Sequence, residues 1–138
     1  MKTMLTAVLL ASTLSLAGCG DDSPNSPTET PTTATVVFSS NLAVMGASSR
    51  SFEVTRAGNV SVTLVSVSGS TTLKVGLGLG IPMTDGSGCV LSRSVETVAG
   101  TVAQLDLSVD VGDYCVQIYD PGTLVGTVGF TINLIYPI

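Results

Sequence analysis

From about residue 34 onward, apolar and polar side chains alternate with a period of two, the pattern of strands that bury one face and wet the other. In NVSVTLVSV, Val60, Val62 and Leu64 share one face while Ser61 and Thr63 share the other. In TLKVGLGLG, Leu73, Val75, Leu77 and Leu79 point one way, and Lys74, Gly76, Gly78 and Gly80 the other. The alternation returns in AQLDLSV, with Leu105, Leu107 and Val109, and in TVGFTINLIYP, with Val128, Phe130, Ile132, Leu134 and Tyr136. Turn formers separate these runs: Ala57-Gly58-Asn59, Ser68-Gly69-Ser70, Asp85-Gly86-Ser87-Gly88, Val111-Gly112-Asp113 and Asp120-Pro121-Gly122. No stretch carries a convincing amphipathic helical period. The pattern predicts an all-β domain over residues 34–138, with about seven or eight short antiparallel strands in a two-layer β-sandwich.

The beginning of the chain follows another rule. Lys2 precedes the apolar run MLTAVLLASTLSLAG, which ends in small residues, the order of a secretory signal peptide over residues 1–18. The run falls short of the roughly 18 to 20 apolar residues of a membrane-spanning helix. Leu16-Ala17-Gly18-Cys19 resembles the bacterial lipobox, in which the cysteine thiol receives a diacylglyceryl group and the leader is cut just before it. The alternative is an ordinary secretory signal with an incidental cysteine. Residues 20–33, GDDSPNSPTETPTT, hold no large apolar side chain. They are expected to form a disordered tether reaching up to about 45 Å. The chain thus divides into a signal peptide (1–18), a lipidated Cys19 with its linker (19–33) and the sandwich. Such a protein belongs in the cell envelope, held to the membrane through Cys19, on the outer membrane if the source is Gram-negative. Asp21 and Asp22 are read either as a surface-export signal of some bacterial groups or as residues repelled by anionic headgroups.

Removal of the leader leaves four basic side chains (Arg50, Arg56, Lys74 and Arg93) against ten acidic ones, a net charge of -6. This excludes nucleic acid as a partner and favours solubility, with cations or basic partners as the other reading. Cys89 and Cys115 form an even pair in an oxidising compartment and predict a disulfide. A metal or redox pair is the rival, but the chain has no histidine and the spacing is not C-x-x-C.

Candidate chemistry is sparse. Gly76-Leu77-Gly78-Leu79-Gly80 lacks the G-x-G-x-x-G spacing and a following helix. Its bare strand face suits either close packing by a neighbour or a flat ligand. Asp106, Asp110, Asp113 and Asp120 are candidate Ca2+ ligands at strand ends, although their spacing is not that of an EF-hand and aspartates beside glycine also form turns. With no histidine, and both remaining thiols assigned to a disulfide, no catalytic residue is assigned. A carboxylate pair or a dyad of a serine with Lys74 remains the formal route to an enzyme. Phe52, Phe130, Tyr114 and Tyr136 fall on the apolar parity of their strands, which leaves Tyr119 as the exposed ring for ligand contact, in the manner of a glycan platform.

SFEVTRAGNVSVTLVSV, VGLGLG and GDYCVQIYDPGTLVGTVGFTINL together resemble the bacterial pre-peptidase C-terminal domain over about residues 49–136. The resemblance implies a jelly-roll-like sandwich, used beside secreted enzymes or for surface attachment, sometimes with calcium. Gly112, Tyr114 and Phe130 match its structural pattern, with Tyr114 implied as a tyrosine corner. Leu73-Lys74-Val75-Gly76 replaces the acidic strand common in that family. The expectation is a noncatalytic, membrane-anchored envelope lipoprotein whose sandwich serves adhesion, scaffolding or protein contact, including pairing through strand edges. The alternative is a glycan- or calcium-binding accessory module.

Overall fold

The computed structural model describes residues 30–138; the leader, Cys19 and residues 20–29 lie outside them. Eight strands follow in order: β1 (Thr33–Leu42), β2 (Ala47–Val54), β3 (Gly58–Val67), β4 (Val75–Pro82), β5 (Cys89–Thr97), β6 (Leu105–Val109), β7 (Gly112–Tyr119) and β8 (Val128–Pro137). They form two four-stranded antiparallel sheets, β1-β8-β3-β6 and β2-β7-β4-β5. This is the strand order of a jelly roll. The predicted alternation is realised in the core: Val60, Val62 and Leu64 of β3 meet Val75, Leu77 and Leu79 of β4, Val116 and Ile118 of β7, and Ile132 and Leu134 of β8. Burying a side chain of this size contributes about 1.5–3 kcal/mol relative to exposure.

The pairings give the sandwich two distinct ends. Thr33 lies beside Pro137, so the chain enters where β8 finishes, while Leu42 lies beside Val128. Connections 55–57, 83–88 and 110–111 share the entry end. Connections 43–46, 68–74, 98–104 and 120–127 share the far end, and each crosses from one sheet to the other. Near the entry end, Phe52 stacks with Tyr114 at 6.1 Å and meets Tyr136 at 4.8 Å between ring centroids. Tyr114 is thus held by ring contact on β7, and the described residues include no hydrogen bond from its hydroxyl of the kind a tyrosine corner makes.

β4 departs from the expectation of one wet face. All six residues from Val75 to Gly80 are buried. A Cβ on Gly76 would overlap the ring of Tyr119, its cross-strand neighbour, and one on Gly78 would lie 2.6 Å from Cδ1 of Leu91. A Cβ on Gly80 would collide with the Val90 carbonyl and lie 2.8 Å from Cα of Leu91. Close packing therefore takes the bare face, and no room remains for a flat ligand. A register shift between Leu79 and Gly80 leans the start of β5 over β4. There Cys89 of β5 is bonded to Cys115 of β7 with a Cα–Cα distance of 6.0 Å, strapping together the two strands that flank β4. The Cys89 amide also donates to Gln117 Oε1 at 3.2 Å.

The open seam between edge strands β1 and β2 is guarded by Arg50. It shares the inward parity of Phe52 and Val54, and its guanidinium donates to the Val37 carbonyl at 3.4 Å. An inward-aimed charge at a sheet edge discourages pairing with another chain.

Gly80→Ala should lower unfolding stability by about 2–3 kcal/mol in chemical denaturation, because backbone must move to admit the methyl group. Gly126→Ala, which meets no atom within 4 Å, should stay within about 0.5 kcal/mol of the parent. Cys115→Ala should cost about 3–4 kcal/mol, as expected for a loop closed across a sequence separation of 26. Reducing agent should reproduce that loss in the parent protein.

Candidate functional site

The far end concentrates the unusual features of the molecule, and one carboxylate organises it. Asp120 follows β7 and is buried. Its Oδ1 accepts from the amides of Gly122 and Thr123, both at 2.8 Å, and of Leu124 at 3.2 Å. Its Oδ2 accepts from the Met45 amide at 2.8 Å, 75 residues away in sequence. The Asp120 amide in turn donates to the Gly46 carbonyl at 3.0 Å. Asp-Pro-Gly forms the local part of this arrangement readily, since aspartate bonds backbone two residues on and Gly122 supplies a positive φ of 100°. Thr123 then donates through its hydroxyl to the Lys74 carbonyl at 2.6 Å. Connections 43–46, 68–74 and 120–127 are thereby fixed to one another.

Burial works against ionisation of Asp120, but the amides of Met45, Gly122, Leu124 and Thr123 outweigh it and hold the carboxyl down at about 2. A carboxylate whose oxygens already face four backbone donors is a poor cation ligand. The candidate calcium set does not assemble either. Asp106 stands on the outer face of the β1-β8-β3-β6 sheet, where Ser61 Oγ donates to it at 2.9 Å. Asp110 is exposed in the β6–β7 connection, and Asp113, on the sheet that lacks Asp106, is exposed near the start of β7 opposite Glu53 of β2. From Asp113 to Asp120 the strand alone rises about 23 Å. Among the described residues no three acidic or cysteine side chains gather as a metal site.

Tyr119 also differs from expectation. Its side chain does point outward, but the ring lies over Gly76 and is half-buried rather than standing free as a platform. Cys89 and Cys115 are joined as expected. Lys74 is exposed, and its backbone carbonyl serves as the acceptor for Thr123. Cys19 lies outside the described residues.

What sequence reasoning missed is the apolar character of the far-end loops. A hollow of about 260 Å³ opens between connections 68–74 and 120–127, walled by Leu73, Leu124 and Val128 and rimmed by Ser68, Ser70 and Val125. Ser68 keeps its wall in place, donating its amide to the Gly129 carbonyl and accepting the Gly129 amide at its hydroxyl, both at 2.8 Å. Val125 is fully exposed, and Met45 is 78% exposed at a backbone φ of 55°. Left-handed turn positions ordinarily carry glycine or asparagine. The signal was present in the sequence, because AVMG and TLVGT are turn-placed segments without charge.

No protein family matches this chain, and no curated protein matches it in sequence.

The carboxyl of Asp120 lies below its ordinary value, so its ionised form favours the native state most fully above about pH 4. That contribution is lost as pH falls toward the folded value of about 2. Thermal unfolding of the parent between pH 7 and 2 should therefore show a falling melting temperature over the lower part of this range. Asp120→Asn should melt lower at neutral pH and show a flatter acid limb.

Proposed function

We propose that this protein is a noncatalytic envelope lipoprotein, anchored through Cys19, whose jelly roll makes contact with another envelope component in adhesion or scaffolding. The observation that carries the reading is Leu16-Ala17-Gly18-Cys19 at the junction between an apolar leader and a stretch without large apolar side chains. That junction supplies a lipid acceptor, a cleavage site and a spacer in the order anchoring requires. Two or three acyl chains, at about 0.8 kcal/mol per buried CH2, would hold the chain on a bilayer durably. The resemblance to the pre-peptidase C-terminal domain supports a role in attachment rather than in chemistry.

Three features of the domain fit a contact module. Two strands of its β2-β7-β4-β5 sheet are strapped by a disulfide suited to an oxidising compartment. Its chain enters at one end, so attachment there leaves the far-end loops uncovered. That other end presents fixed loops with exposed apolar residues, and preorganised geometry of this kind lowers the ordering cost of association. A glycan- or calcium-binding accessory role has less support, since Tyr119 packs on Gly76 and Asp120 is committed to backbone amides.

Growth with an alkyne fatty acid tests the anchor. The parent protein should acquire the label and partition into the detergent phase, and Cys19→Ser should acquire none. An unlabelled parent would exclude the lipoprotein reading. Ca2+ and cell-wall glycans should leave the melting temperature of the protein unchanged; a saturable rise would favour the accessory module instead.

A further inference from the structure

We propose that the far end of the jelly roll is a lipid-facing surface that seats the domain on the bilayer carrying Cys19. The inference rests on the lipoprotein reading. It begins with the distribution of charge. Connections 43–46, 68–74 and 120–127 contain only two charged side chains, Lys74 and Asp120, and Asp120 is buried. Of the six other acidic groups among the described residues, four lie at the opposite end. Glu53, Asp85, Asp110 and Asp113 are toward the entry end, while Glu96 and Asp106 stand on strands β5 and β6 beside the fourth connection.

The same three loops project apolar side chains. Val44 and Met45 form the tip of the first, and Val125 the tip of the third, with the hollow walled by Leu73 and Leu124 between the second and third. Met45 stands 78% exposed in a left-handed turn, where water favours glycine or asparagine. Nothing within the domain covers it. The Asp120 carboxylate and the Thr123 hydroxyl hold these tips rigid from beneath. Protruding, uncharged and preorganised loops suit a fluid apolar phase, which needs no matching rim of polar partners. Lys74, exposed beside the hollow, is placed to meet a headgroup phosphate.

The chain outside the structure determines which bilayer is reached. Residues 20–32 separate Cys19 from β1 and include Pro24, Pro27 and Pro31. At about 3.1 Å per residue in an extended, proline-rich form they span about 40 Å. β1 itself runs about 33 Å from the entry end to the far end. A tether laid back along β1 therefore returns the lipid on Cys19 to the level of Met45 and Val125.

The test uses the mature lipidated protein in phosphatidylcholine vesicles, with single thiols introduced by Met45→Cys, Val125→Cys or Thr84→Cys and labelled with an environment-sensitive fluorophore. Thr84 lies in connection 83–88 at the entry end. Each variant is first shown to melt like the parent. The expected result is a blue-shifted emission at positions 45 and 125, quenched at least about threefold more by acyl-chain nitroxides than emission at position 84. If the protein floats with the vesicles but positions 45 and 125 remain aqueous, or position 84 is the one quenched, the surface assignment is overturned while the anchor stands. If the protein does not float with the vesicles, the anchor and the seating fall together. As a second readout, Met45→Asp with Val125→Asp should abolish the difference in quenching between a label at Val44→Cys and one at Thr84→Cys without releasing the protein from the vesicles. A persistent difference would also overturn the assignment.

Discussion

The carboxylate of Asp120 sits where three crossing connections of the jelly roll converge, and their arrangement depends on it. A buried charge is costly unless its hydrogen-bonding capacity is filled. Here the filling comes from backbone amides at Met45, Gly122, Thr123 and Leu124. Those donors belong to loops that no sheet ladder could otherwise satisfy. One side chain therefore does for the far end what strand pairing does for the body of the sandwich. It also explains why an exposed methionine can occupy a left-handed turn. The Met45 amide is bonded from below, so the turn is held whichever side chain it carries.

A second constraint organises the outer face of the β2-β7-β4-β5 sheet. Gly76, Gly78 and Gly80 leave the outer face of β4 without side chains, and Tyr119, Leu91 and the Val90 backbone move into the space. The start of β5 can then cross β4 closely enough for Cys89 to meet Cys115. A small domain with few aromatic residues thus gains a second layer of burial outside its main core. The glycine stripe, the bulge and the disulfide form one device. Side chains at Gly78 and Gly80 would push β5 away and separate the thiols, and one at Gly76 would displace the Tyr119 ring.

Much of the fold was legible because period-two burial leaves its mark in sequence. The faces of β3, β4, β6 and β8 could be read from Val60, Leu77, Leu105 and Ile132 with their neighbours, and the turns from glycine and aspartate. β5 was less legible, since Val90-Leu91-Ser92-Arg93 crosses a bulge at a sheet edge and its parity slips there. Tyr119 was correctly placed on the outward parity, and the glycine stripe was correctly read as open to a close neighbour. That the two meet depends on the register between β7 and β4, which no local pattern encodes. Asp120 was visible as a turn former from Asp-Pro-Gly. Its bond to Met45 spans 75 residues and follows only from the topology.

If an ionised Asp120 holds the far-end loops as one platform, their backbone amides must open and close as a unit. Native-state amide hydrogen exchange tests it most directly. The amides of Met45, Gly122, Thr123 and Leu124 should be protected although they lie outside strands, and all four should lose protection together in Asp120→Asn while those of β3 and β8 keep theirs. Free exchange of these four amides in the parent protein, or their independent behaviour in the variant, would contradict the account.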